Sequence, residues 1–179
     1  MTTVILYGKG VSSPMSPESI FRIHLILGYV ACLLPFSAYL WPRLKSMQRV
    51  EAQRAIATLH SFRFFGLVFI LPGVVGNLPA GFEGFAAWGD LATGVLAMLA
   101  LLTVRVRPLF WTLVVAYNVV GIVDLLGDYL HATQLNVPFI AGQFASTYAI
   151  PVLLVPMLMI THIASLYLLA RKPVQHAAA

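Results

Sequence analysis

Five apolar runs, near residues 20–41, 57–78, 86–104, 109–131 and 148–170, dominate the sequence, and only short polar connections separate them. A helix needs about 20 predominantly apolar residues to cross the hydrocarbon core of a bilayer. Each run approaches or exceeds that length, the third being the shortest. Their hydrophobicity is continuous rather than alternating, which excludes a transmembrane β-barrel. Charged residues make up 9% of the chain and hydrophobic ones 60%, whereas about a quarter of a soluble domain is charged. The expected fold is all-α: an integral membrane bundle of five transmembrane helices, a single domain over residues 1–179. Its expected setting is the cell's inner (plasma) membrane, with the lipid bilayer as its first partner.

Basic residues orient such a bundle, because Lys and Arg concentrate in cytoplasmic connections. Arg43, Lys45, Arg49 and Arg54 lie in the 42–56 connection, Arg105 and Arg107 in the next on that side, and Arg171 and Lys172 in the tail. With five spans these share one side, and only Lys9 and Arg22 fall opposite. The N-terminus is expected outside and the C-terminus in the cytoplasm. Trp41, Trp88 and Trp111 fall near span ends, where aromatic belts form. This topology accounts for the net charge of +5, so no nucleic-acid partner is expected. Ser16-Pro17-Glu18-Ser19 reads as a helix start with Pro at the first turn, and residues 1–19 lack the features of a signal peptide. The lone Cys32 excludes an intrachain disulfide and reads as a small packing residue.

The acidic residues carry the most specific signal. Glu18, Glu83, Asp90, Asp124 and Asp128 map to the outer half, and only Glu51 to the inner side. Asp124, Asp128 and His131 are spaced i, i+4, i+7 and share a helix face that Tyr117 and Gly121 continue inward. Asp90 shares a face with Glu83, Thr93, Gly94 and Ala97. His24 lies one turn into the first span above Gly28 and Ala31, and Asn77 and Asn118 add polar atoms nearby. Small residues on these faces let helices approach closely. A carboxylate in hydrocarbon costs about 2.5–3.5 kcal/mol on insertion scales, so such residues require a reason. If the faces converge they form an outward-opening pocket in which Asp90, Asp124 and Asp128 are the candidate catalytic groups for acid–base chemistry. His24, Asp124, Asp128 and His131 are the candidate ligands of a divalent metal. The alternative is structural: interfacial residues, interhelical hydrogen bonds and helix caps.

A second polar set lies toward the inner side. His60 and Arg63 open the second span, and His162 and Ser165 stand i, i+3 in the fifth. Two imidazoles on facing helices can ligate a haem b iron axially, with Arg63 pairing a propionate or an anionic head group. Their structural alternatives are a snorkelling arginine and an interhelical hydrogen bond. The terminal His176 has no expected role. Pro72-Gly73 and the pair Pro151 and Pro156 interrupt the second and fifth spans, as kinks or as breaks lining a cavity. The 132–147 connection either covers the outer pocket or lies in the interface.

The run Arg63-Phe64-Phe65-Gly66-Leu67-Val68-Phe69-Ile70-Leu71-Pro72-Gly73-Val74-Val75, with Leu78-Pro79-Ala80-Gly81-Phe82 and Gly89-Asp90-Leu91, resembles a pattern in uncharacterised bacterial multi-pass membrane proteins. That resemblance implies a recurring motif containing Asp90 and supplies no chemistry. The placement of His60 is similar to the histidine opening the second span of small membrane haem isomerases of the styrene oxide isomerase type. Those have a shorter bundle, the surrounding residues differ, and no function is transferred.

Three functions fit these residues. The leading one is a membrane protein that binds a small apolar or amphipathic molecule, with possible enzymatic use of the Asp/His pocket. The second is a proton- or cation-coupled carrier, for which a homo-oligomer would supply the helices that five spans lack. The third is a structural subunit or assembly factor whose polar residues join helices.

Overall fold

The computed structural model describes residues 15–79 and 81–171; Lys9, Ala80, Lys172 and His176 lie outside the described residues. The chain is helical, with no strand among the described residues. Helix α1 covers Pro17–Ser46 and α2 covers Arg49–His60, running directly into a 3-10 helix over Ser61–Ile70. Helices α3 (Phe82–Leu102) and α4 (Arg107–Gln134) follow. A 3-10 segment over Val137–Thr147 then leads into α5, Ile150–Ala170. Four of these helices, α1, α3, α4 and α5, are long and apolar enough to cross a membrane.

Helix α1 begins as the sequence predicts: Ser16 Oγ accepts from the backbone N–H of Ser19, and Pro17 occupies the first turn. The helix winds past Pro35 through a π-helical turn at Phe36–Leu40, a usual way of absorbing an interior proline. It sits at the edge of the bundle. Phe21, Gly28 and Leu44 are buried, while Ile26, Leu27, Leu34 and Leu40 are exposed, a surface suited to lipid.

The second apolar run departs from expectation. The sequence predicts a span over 57–78, but the helical segment starts at Arg49 and ends at Ile70. Leu71 precedes Pro72 and takes an extended conformation (ψ 119°), because the proline ring disfavours helical geometry in the residue before it. Gly73 and Gly81 have positive φ, which glycine adopts without strain, and they shape the link to α3. Four positions of this segment, His60, Arg63, Gly66 and Phe69, are buried at every third residue. That is the 3-10 period, in which i and i+3 eclipse. The resulting row faces α3, whose backbone is approached so closely that a Cβ on Gly94 would stand 3.0 Å from the Phe64 nitrogen.

The prolines of the last span act similarly. A π-turn at Ile150–Leu154 opens α5, and Pro156 has no N–H for the Val152 carbonyl. Gly28 of α1 packs on that carbonyl, with room for no side chain: a Cβ there would lie 1.8 Å from the oxygen. Close approach through a small residue is what the Gly28 position predicted. The Val137–Thr147 segment is buried through Val137, Ala141 and Phe144, which join Phe21, Phe69, Phe82 and Val152 in one core at one end of the bundle. A second core, Ala57, Ala97, Ala100, Phe110, Val114 and Tyr117, binds α2, α3 and α4 at the other end.

Candidate functional site

Arg63 lies at the centre of the bundle, and each of its three guanidinium nitrogens has a partner. Nε donates to Asp90 Oδ1 at 2.5 Å, Nη2 donates to Asp124 Oδ2, and Nη1 faces the Gly121 carbonyl at 3.4 Å and His162 Nε2 at 3.3 Å. The arginine side chain is 1% exposed and those of Asp124 and Asp90 are 4% and 11%. The sequence separates Arg63 and the aspartates into inner and outer sets; the fold joins them in one buried cluster. Arg63 therefore does not snorkel. It is held inside by two carboxylates, which is how a charge remains in a low-dielectric interior.

Three glycines on three helices leave the space this cluster occupies. A Cβ on Gly66 would stand 2.1 Å from Asp90 Oδ2, one on Gly89 1.5 Å from Asp124 Oδ1, and one on Gly121 2.4 Å from His162 Nε2 and 2.7 Å from Arg63 Nη1. Gly121 was expected to bring helices together. It instead makes room for the His162 ring and the Arg63 guanidinium, which meet there.

From Arg63 a chain of hydrogen bonds runs to the other end of the bundle, and chemistry fixes its direction. The guanidinium can only donate, so His162 Nε2 accepts and Nδ1 carries the hydrogen, donated to Asn118 Oδ1 at 3.0 Å. The Asn118 amide donates to the Val114 carbonyl at 2.7 Å and to Ser165 Oγ at 2.8 Å. Ser165 donates to Gln53 Oε1 at 2.6 Å, and Gln53 Nε2 returns a bond to the Ser165 carbonyl at 2.9 Å. His60 lies beside this chain. The Thr161 hydroxyl donates within its own helix to the Met157 carbonyl, so His60 Nε2 donates to Thr161 Oγ1 at 3.2 Å, and His60 Nδ1 is buried without a partner among the described residues.

On the other side of Arg63, a cavity of about 410 Å³ opens between α1, α3, α4, α5 and the Val137–Thr147 segment. Asp90 and Asp128 contribute its carboxylates, Phe21, Phe69, Phe82 and Phe144 form apolar walls, and Glu18 and Arg22, an ion pair one helical turn apart, stand at its rim. Asn136, Pro138 and Phe139 also line it, so the connection after α4 covers the pocket, one of the two positions expected for it. Asp128 Oδ1 and Asp124 Oδ1 are buried without hydrogen-bond partners among the described residues.

The expected site residues thus divide. Asp90 and Asp124 come together on Arg63, and Asp128 joins Asp90 in lining the adjoining cavity. His24 does not join them: its Nδ1 pairs with the Tyr148 hydroxyl at 3.0 Å on an exposed surface. His131 Nδ1 takes up the Gly127 carbonyl at 3.0 Å, and its ring lies 4.3 Å from that of Phe85. The set His24, Asp124, Asp128 and His131 is therefore not assembled for a metal, and no group of three or more His, Cys, Asp or Glu among the described residues is placed to hold one. His60 and His162 do meet, but ring against ring, with centroids 3.9 Å apart and planes tilted by 32°. Axial ligands stand on opposite faces of a porphyrin, and rings in direct contact leave no layer for the macrocycle between them.

Sequence reasoning missed Gln53, which it left in a polar connection, and the glycines Gly66 and Gly89. The three-residue period from His60 to Phe69 was readable and pointed to a shared face for Arg63 and Gly66. Nothing in the sequence pairs Gly89 with Asp124.

Residues 20–170 match the Domain of unknown function (DUF8737), and the chain belongs to that family. The match takes in nearly all of the described helices, well beyond the run from Arg63 to Leu91 singled out by the sequence. No curated protein and no solved structure matches the chain.

Proposed function

We propose that this member of the DUF8737 family is a membrane-embedded binding protein that takes a small amphipathic molecule into the cavity between α1, α3 and α4 from the outer face. The observation that carries the reading is the cavity itself. A pocket of about 410 Å³ falls in the range of ligand sites, about 300–1,000 Å³, and combines apolar walls with few polar groups, as such sites do. One of its carboxylates, Asp90, is held by the buried Arg63, which fixes its position before any guest arrives. Asp90 and Asp128 are then the groups available for acid–base chemistry on that guest.

The reading places five spans in the membrane, with the N-terminus outside and the C-terminus in the cytoplasm. Residues 49–70 supply the fifth span. Six α-helical residues from position 55 rise about 9 Å and the ten 3-10 residues about 20 Å, together close to the roughly 30 Å hydrocarbon core. The larger 3-10 rise lets a shorter apolar stretch cross. Arg63 then lies about 15 Å from the inner boundary, near the bilayer centre. At that boundary Lys45 sits over the Trp41 ring and Arg49 over Trp111, consistent with an inner aromatic and basic belt.

A second reading, a proton-coupled carrier, is favoured by the directed hydrogen-bond chain from Arg63 through His162, Asn118 and Ser165 to Gln53. That chain joins the cavity floor to the inner end.

The test is native mass spectrometry of the protein in lipid nanodiscs against a panel of small amphiphiles, with Ala132→Trp as the blocked form. Ala132 lines the cavity and a tryptophan there fills it. Specific binding to the wild type that Ala132→Trp abolishes, at unchanged helicity, supports the reading. Equal occupancy of both forms sinks it. Uptake into proteoliposomes that collapses with the proton gradient selects the carrier.

A further inference from the structure

We infer that the guest is an organic monocation, an amphipathic amine or quaternary ammonium, with its head on Asp128 and its body among the phenylalanines of the cavity. The inference rests on the binding reading above and specifies its ligand.

Charge is the first argument. Asp90, Asp124 and Asp128 bring three carboxylates to one region, and Arg63 is the sole guanidinium among them. Its nitrogens are committed to Asp90, Asp124, His162 and the Gly121 carbonyl; none reaches Asp128. The other cation at the cavity, Arg22, is paired with Glu18 at the rim. The nearest histidines face elsewhere, His131 toward Phe85 and the Gly127 carbonyl and His24 toward Tyr148. Asp128 therefore lines the cavity with a buried oxygen that has no hydrogen-bond partner among the described residues, and the one cation whose charge reaches it, Arg63, is shared with Asp90 and Asp124. Leaving a buried acceptor unsatisfied costs about 1–3 kcal/mol, and more when it is charged. A positively charged head removes that cost as it binds.

The walls supply the second argument, independent of the carboxylates. Phe144 is the hub of an aromatic cluster, with ring centroids 6.2 Å from Phe21, 6.1 Å from Phe69 and 6.1 Å from Phe82. All four line the cavity. Aromatic faces attract organic cations, and desolvated sites of this kind are the usual receptors of alkylammonium groups. The same walls oppose a bare metal ion, which needs oxygen or nitrogen on several sides. An anionic guest would meet unpaired carboxylate and no free cation. A neutral guest would leave Asp128 as it is.

Three probes with one body and different heads test this in nanodiscs: 4-phenylbutyltrimethylammonium, 4-phenylbutanol and 4-phenylbutyrate. Binding is measured by equilibrium dialysis as the excess over Ala132→Trp nanodiscs, which subtracts partition into lipid. The ammonium is expected to bind the wild type at least tenfold more tightly than either other probe. Asp128→Asn should lose at least tenfold for the ammonium while holding the alcohol unchanged, which also certifies that the pocket has folded. Asp128→Glu should retain ammonium binding. If the alcohol or the butyrate binds the wild type as well as the ammonium does, or Asp128→Asn leaves the ammonium unaffected, the cation inference is overturned and the pocket reading stands. If no probe exceeds the blocked form, the inference is overturned as well, and the amphiphile panel decides the pocket reading separately.

Discussion

Replacing Arg63 by methionine removes a guanidinium of similar length from a site that is 1% exposed, and strands two carboxylates whose side chains are 4% and 11% exposed. Breaking a buried pair by deleting one partner costs about 3–5 kcal/mol, because the remaining charge is left uncompensated. Here one deletion breaks two pairs and also removes the donor to His162 Nε2, so the upper end, about 5 kcal/mol, applies. For a chain of 179 residues, each kcal/mol shifts the unfolding midpoint by roughly 2–4 °C, giving a fall of about 10–20 °C. Arg63→Met/Asp90→Asn/Asp124→Asn removes the arginine and both carboxylates bonded to it at nearly constant volume. It should recover most of that loss, since replacing a whole buried charge set is often close to neutral. Thermal unfolding in mild detergent, followed by the fluorescence of Trp41, Trp88 and Trp111, measures both variants. A single variant within 4 °C of wild type, or a triple variant no better than the single, would refute the view that Arg63 is held by its carboxylates.

Two further outcomes are open to direct measurement. Gly89→Ala and Gly66→Ala each place a methyl where an aspartate oxygen now lies, 1.5 Å and 2.1 Å away. Overpacking should cost about 1–3 kcal/mol, whereas Gly84→Ala, with nothing within 4 Å, should be neutral or raise stability by about 0.5–1 kcal/mol; equal midpoints for all three would contradict the cradle. For topology, a Cys32→Ser background carrying Glu18→Cys should react with an impermeant maleimide on intact cells, and one carrying Lys45→Cys only after permeabilisation. The reverse pattern would invert the proposed orientation.

Much of the helical frame was legible because hydrocarbon leaves so few options. Four of the five apolar runs lie where their length and hydrophobicity put them, α3 buries Asp90, Thr93, Gly94 and Ala97 on one face, and α4 buries Tyr117, Gly121 and Asp124. These are spacings within a helix, which a sequence records. Contacts between helices are not recorded, and the site depends on them. Arg63 was assigned to the inner boundary because its position was counted from the wrong helix start. The helical segment runs from Arg49 to Ile70, so Arg63 stands past its middle rather than at its start, within reach of the aspartates. The same counting left Gln53 in a connection, although it is 1% exposed and ends the hydrogen-bond chain.

The 3-10 winding of Ser61–Ile70 is what makes one cluster of these parts. Ten residues is long for this helix type, whose hydrogen bonds are poorer than those of an α-helix, so something must offset it. In an α-helix each residue turns about 100°, and three residues fall about 60° short of a full turn. Between His60 and Phe69 the shortfall would reach about 180°, and the two would point to opposite sides. With three residues per turn the shortfall is zero. His60 meets the His162 ring, Arg63 reaches both aspartates, Gly66 leaves space for Asp90 and Phe69 walls the cavity, all from one edge of one segment. An α-helix there could satisfy some of these contacts and would turn others toward lipid, with a charged arginine near the middle of the row. The winding and the buried charge therefore explain each other: the arginine needs its two carboxylates, and only the tighter helix presents it to them while keeping the cavity wall in line.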